Sequence, residues 1–138
     1  LTMLKEHGVE IFVGGGQREK TKVSQEEYAI LLARSKVTLN FSYTSDGRPQ
    51  GKARLPEALA CRTALIDTSN EFSSKLFKEN EDYWGATNEK DMLGKIKFLL
   101  AYPEIRDKLA YTGYQSYLGS MAPNPYWKKV FGTVGIKL

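Results

Sequence analysis

The chain has 138 residues, of which 41% are hydrophobic and 26% charged, with a formal net charge of +4. That length suits one domain, residues 1–138, able to bury roughly two-thirds of its unfolded surface, and the composition is that of an ordinary soluble globular protein. No apolar run approaches the roughly 20 residues a membrane span requires, and no signal peptide is visible.

The single cysteine, Cys61, rules out an internal disulfide and favours a reducing, cytoplasmic setting. Its place in an apolar helix reads as packing. An isoelectric point near 9.1 fits an anionic ligand, nucleic acid or an acidic surface without separating them. The chain opens on Leu1 rather than a methionine, as expected for a piece of a longer protein with a partner domain elsewhere.

In chain order, residues 1–7 read as the end of a helix, and "VEIFVGG" (9–15) as a buried strand ending in glycines. Ser24 and Glu27 form a capping box ahead of Tyr28, Ile30, Leu31 and Leu32, which predicts a helix over 25–34. "KVTLNFS" (36–42) is a second strand, followed by a polar loop, a helix over 52–61, and "TALID" (63–67) as a third strand. "EFSSKLF" (71–77) suggests a short helix, "DYWGAT" (82–87) an edge strand, and "NEKDMLGKIKFLLAY" an amphipathic helix. Pro103 opens a further helix at the position where proline is tolerated, and "PNPYWKKVFG" closes the chain as a terminal helix. Strands alternating with helices predict an α/β fold: a Rossmann-like parallel sheet flanked by helices, with extra C-terminal helices. Ligands of such sheets sit at the carboxyl ends of the strands, where the loops 14–22 and 42–52 fall.

The chemistry concentrates in "DGRPQGKARLPEALACRTALID" (46–67). A helix amino end carries unpaired N–H groups and about half a positive charge, which makes it attractive to an anion. Lys52 and Arg54 add two charges there, Arg54 with a planar fork suited to phosphate oxygens. Gly47 and Gly51 would let backbone approach a bound group. Glu57, one turn further in, suits the vicinal hydroxyls of a ribose. The plainer alternative is that both cations are solvated and Glu57 only favours the helix dipole. Gly14 and Gly15, before Arg18 and Lys20, lack the full dinucleotide fingerprint and read first as a turn. His7 is the only histidine, so neither a histidine triad nor a histidine-rich metal site can be assembled.

"RLPEALACRTALID" resembles the donor-binding motif of GT-B glycosyltransferases. "SKVTLNFSYTSDG" and "DMLGKIKFLLAYPEIRDKLAYTGY" resemble the spore-protein-like branch of that group, so the likeness runs over roughly residues 9–118. It implies the carboxyl-terminal half of a GT-B fold, binding a nucleotide sugar on UDP or GDP. Glu57 would take the ribose, and Arg54 and Lys52 would lie at the diphosphate and assist its departure. Gly14, Gly15, Ser42 and Gly51 complete the implied binding set. The resemblance implies no cofactor and no metal, and an acceptor held by an N-terminal GT-B domain of the same chain. Where retaining members often carry an acidic residue eight positions before the ribose glutamate, this chain has Pro49, with Asp46 nearby. Where the motif has glycine after "AC", it has Arg62. A non-catalytic nucleotide- or phosphate-sensing module is the alternative. Nucleic-acid binding has only the isoelectric point behind it.

Overall fold

The computed structural model describes residues 2–13 and 23–136. Its centre is a parallel sheet of three strands, β1 (Val37–Asn40), β2 (Ala64–Thr68) and β3 (Trp84–Ala86), in the order β1-β2-β3. Val37 stands opposite Ala64 and Asn40 opposite Asp67, while Ile66 stands opposite Trp84. Around the sheet run α1 (Thr2–Glu6), α2 (Gln25–Arg34), α3 (Arg54–Ala60), α4 (Glu71–Leu76), α5 (Glu89–Ala101), α6 (Pro103–Ser120) and α7 (Pro123–Thr133). The expected α/β architecture, a Rossmann-like parallel sheet flanked by helices, is what forms.

Local chemistry explains most boundaries. Ser24 Oγ accepts from the Glu27 N–H at 3.1 Å while the Glu27 carboxylate accepts from the Ser24 N–H at 2.7 Å, closing the capping box of α2. Those bonds hold the Glu27 carboxyl below its ordinary pKa. Asn70 and Asn88 cap α4 and α5 in the same manner, with side-chain oxygens on backbone N–H groups.

Burial follows the strand period of two. Ala64 and Ile66 of β2 point into one core with Leu4, Met92, Ile96, Leu99 and Leu109, whereas Leu65 points into the other with Leu55, Leu59, Phe77 and Tyr83. Covered on both faces, β2 opens on the apolar run Ala64–Ile66, as a central parallel strand should.

The expected strand over 9–15 does not form in its described part, since 9–13 is irregular. Val9 and Ile11 do pack against the first core. The Val9 N–H, however, bonds the Leu4 carbonyl at 3.0 Å, closing the end of α1 around Gly8 at φ +73°. Alternating apolar residues report burial of one face; a strand also needs a ladder partner, and no described residue provides one. Gly14 and Gly15 lie outside the described residues, as do Arg18 and Lys20.

Two glycines in helices separate intrinsic propensity from packing. A Cβ at Gly94, on the exposed side of α5, meets nothing within 4 Å, so Gly94→Ala should stabilise by about 0.5–1 kcal/mol. A Cβ at Gly113 of α6 would overlap the Asp82 carbonyl oxygen and approach Leu59 Cδ2 to 2.6 Å. Gly113→Ala should therefore destabilise by about 1–3 kcal/mol despite the same gain in helix propensity. Urea unfolding of both variants checks the contrast, and equal effects would contradict the packing assigned to Gly113.

Candidate functional site

The carboxyl ends of β1 and β2 are held by one buried polar network. Asp67, fully buried at the end of β2, accepts from Ser42 Oγ at 2.8–2.9 Å and from Ser73 Oγ at 2.7 Å. Asn40 Nδ2 donates to Ser42 Oγ at 2.9 Å, and Asn70 Nδ2 to Ser73 Oγ at 3.0 Å. The Ser42 N–H donates to Thr68 Oγ1 at 2.8 Å. The loop leaving β1 is thereby tied to the next strand and to the start of α4. Among the described residues no buried side-chain polar atom lacks a partner, which is what makes such a network tolerable in a low-dielectric interior.

The loop then folds on itself. Tyr43 and Pro49 form an antiparallel bridge, and Gly47 turns the chain at φ +79°. Asp46 accepts from Thr44 Oγ1 and pairs with Arg48, at 2.7 Å from its terminal nitrogen. The Thr44 hydrogen bond first, and then Arg48, hold the Asp46 carboxyl below its ordinary pKa. Asp46 is thus engaged within its own turn.

Beyond the turn, an open cleft of about 390 Å³ lies between residues 39–41 and the side chains of Lys52, Arg54 and Glu57. Helix α2 supplies a further member. Tyr28 donates its hydroxyl to Glu57 Oε2 at 2.9 Å and receives Arg54 Nε at 3.1 Å, with the guanidinium carbon 5.7 Å from the ring centre. One hydroxyl therefore sits between a cation and a carboxylate. Partial burial, and then the bond to Glu57, push the Tyr28 phenol above its ordinary pKa, so it remains a proton donor. Burial and Glu57 likewise raise the Cys61 thiol, which favours the unreactive form.

Glu57 is exposed, and its Oε1 has no hydrogen-bond partner among the described residues. Lys52 rests on the Gln50 side-chain oxygen at 2.7 Å. Helix α3 has seven residues, and Pro56 removes one N–H from its first turn, so the helix end offers a weaker field than expected. The charges of Lys52 and Arg54 carry more of the electrostatics in consequence.

Of the residues singled out from sequence, Arg54, Lys52 and Glu57 come together at this cleft. Ser42 does not line it: its hydroxyl is consumed by Asp67 and Asn40, and burial removes it from any ligand surface in this arrangement. Gly51 is exposed, and a Cβ there meets nothing within 4 Å, so the protein's own packing makes no demand for glycine. Sequence reasoning missed Tyr28, which counts as one more apolar position of α2, and Phe41, which follows β1 and stands 47% exposed beside the cleft. Strand parity was the available signal for Phe41, since its neighbours Asn40 and Ser42 are buried. Among the described residues no group of three His, Cys, Asp or Glu side chains converges on a point, and no helix is long and apolar enough to cross a membrane.

Residues 2–124 match the model of a family described as glycosyl transferase-like, and the chain belongs to that family. No curated protein and no solved structure matches it.

The Asp67 network makes a quantitative demand on stability. Asp67→Ala leaves the Ser42 and Ser73 hydroxyls buried without their acceptor and should cost on the order of 3 kcal/mol. Asp67→Asn, which keeps the size and one acceptor oxygen, should cost less. Denaturant unfolding of the two variants measures this, and a neutral Asp67→Ala would contradict the role given to the carboxylate.

Proposed function

For a chain of this family, we propose that the cleft beside β1 binds the nucleoside diphosphate part of a sugar-nucleotide donor. The observation that supports this most strongly is the meeting of Lys52, Arg54 and Glu57 with Tyr28 at the carboxyl ends of the strands. Glu57 Oε1 is available to accept from the ribose hydroxyls, while Tyr28 holds the other oxygen and fixes the carboxylate's orientation. Arg54 and Lys52 face the diphosphate, Arg54 with a planar fork and Lys52 as a point charge released from Gln50. The exposed ring of Phe41 gives the base or sugar a flat apolar surface.

The chemistry follows from where charge develops. As the bond between the sugar and the diphosphate breaks, negative charge accumulates on the departing phosphate oxygen. Cations already held at that position stabilise the change without reorganising, the usual source of the largest catalytic term. This scheme routes no step through a metal or cofactor. The acceptor, and any base that deprotonates it, would come from another domain of the same protein. A cytoplasmic setting suits the sugar-nucleotide substrate.

Calorimetry with UDP, GDP, their sugar derivatives and the free nucleosides tests the proposal. Arg54→Ala should weaken diphosphate binding by about 1.5–3 kcal/mol, the range for a charge-assisted hydrogen bond, and barely alter nucleoside binding. Glu57→Gln should lower ribonucleotide affinity by about 1–3 kcal/mol and shrink the preference for ribose over 2′-deoxyribose. Binding of neither diphosphate nor sugar nucleotide would sink the proposal. Binding indifferent to the sugar would favour a nucleotide-sensing module instead.

A further inference from the structure

At the other end of the sheet, the chain entering β1 and β2 borders a second cleft of about 240 Å³. Four cations line it, Arg34, Lys36, Arg62 and Arg106, against one carboxylate, Asp107. Arg106 is bound to Asp107 at 2.9 Å, and its side chain is only 17% exposed. Among the described residues, no ion pair engages Arg34, Lys36 or Arg62.

An ordinary explanation is that cations gather where helices end, and α2 and α3 both end here. The hydrogen bonds argue that this is not enough. Near the end of α2, the carbonyls of Leu31 and Leu32 accept from the N–H and hydroxyl of Ser35 and from Thr63 Oγ1, at 2.6–3.0 Å. Near the end of α3, the carbonyls of Leu59 and Ala58 accept from the N–H groups of Arg62 and Thr63, both at 3.0 Å. None of these capping bonds uses a cationic side chain. Arg106, moreover, stands in the opening turn of α6, where the helix dipole disfavours positive charge.

Arg62 adds an independent observation. It occupies the residue after the C-cap of α3 at φ +53°, the left-handed conformation that glycine adopts freely and other residues at a cost of about 1–2 kcal/mol. Its guanidinium lies 5.3 Å from the centre of the Tyr111 ring. A strained arginine where glycine would relieve the backbone points to a use for its charge.

We propose that this second cleft binds a phosphate group, gripped by the guanidinium groups of Arg62 and Arg34 with Lys36 and Arg106 adding charge. Its volume lies below the roughly 300 Å³ at which pockets for drug-sized ligands begin, which favours a compact polyanion over a whole nucleotide. The phosphate has two possible sources, a free phosphate or pyrophosphate and a phospholipid headgroup.

The test uses an Arg54→Ala background, which weakens phosphate binding at the first cleft, with and without Arg62→Gly. Inorganic pyrophosphate is titrated by calorimetry, and vesicles of phosphatidic acid in phosphatidylcholine, or phosphatidylcholine alone, are assayed by co-sedimentation. Binding in one arm should weaken roughly ten-fold on Arg62→Gly, the loss of one charge-assisted hydrogen bond, and that arm identifies the source. The melting temperature should hold or rise, because glycine relieves the strain. Binding in neither arm, or binding indifferent to Arg62→Gly, overturns the proposal. A lowered melting temperature with unchanged binding would assign Arg62 to packing on Tyr111 instead.

Discussion

The carboxylate of Asp67 is the constraint on which the described architecture turns. It is fully buried on the central strand and takes hydroxyl donors from the loop after β1 and from the first turn of α4. A buried carboxyl group is tolerated only when its oxygens are occupied, so Ser42 and Ser73 must come to it and bring their backbones along. Ser42 in turn fixes where the chain leaves β1, and with it the turn that delivers Lys52 and Arg54. The cleft is therefore positioned by a group that itself stays out of reach of any ligand. Apolar packing alone would not set that position, because hydrophobic burial has no direction.

Above that base, the cleft balances charge instead of accumulating it. Tyr28 stands between Arg54 and Glu57 and holds an exposed cation and an exposed carboxylate in fixed orientation. Exposed charged groups held in this way are worth little to stability. Their ordering here matters more as preparation for a ligand that presents phosphates to one member and hydroxyls to the other. The opposite end of the sheet is built differently: among the described residues no ion pair engages Arg34, Lys36 or Arg62, and Arg106 pairs with Asp107. One parallel sheet thus presents two electrostatically distinct ends.

Much of this was legible in the residues. The capping box of Ser24 and Glu27, Pro103 at the start of α6 and the apolar run of β2 each carry their structural instruction within a few positions. The meeting of Lys52, Arg54 and Glu57 followed from their spacing across a loop and a helix start. The failures share a physical cause, dependence on distant partners. Residues 9–13 carry a strand's alternation but have no ladder partner among the described residues. Ser42 looks like a loop hydroxyl until Asp67, 25 positions on, claims it. Tyr28 reads as core until α3 brings Glu57 to its hydroxyl. Arg62 stands where the resembled motif has glycine, and only the backbone angle reveals that it adopts the left-handed conformation glycine favours.

The central claim is that nucleoside diphosphate binds at the cleft beside β1. Chemical-shift mapping of backbone amides during titration with UDP and GDP tests it most directly, with inorganic pyrophosphate as the reference titration. The account predicts that the nucleotides, but not pyrophosphate, move the amides of residues 39–41 together with Tyr28, and that residues 52–57 respond to the diphosphate. Nucleotide shifts that match those of pyrophosphate and centre on residues 34–36, 62 and 106, or no shifts at all, would contradict it.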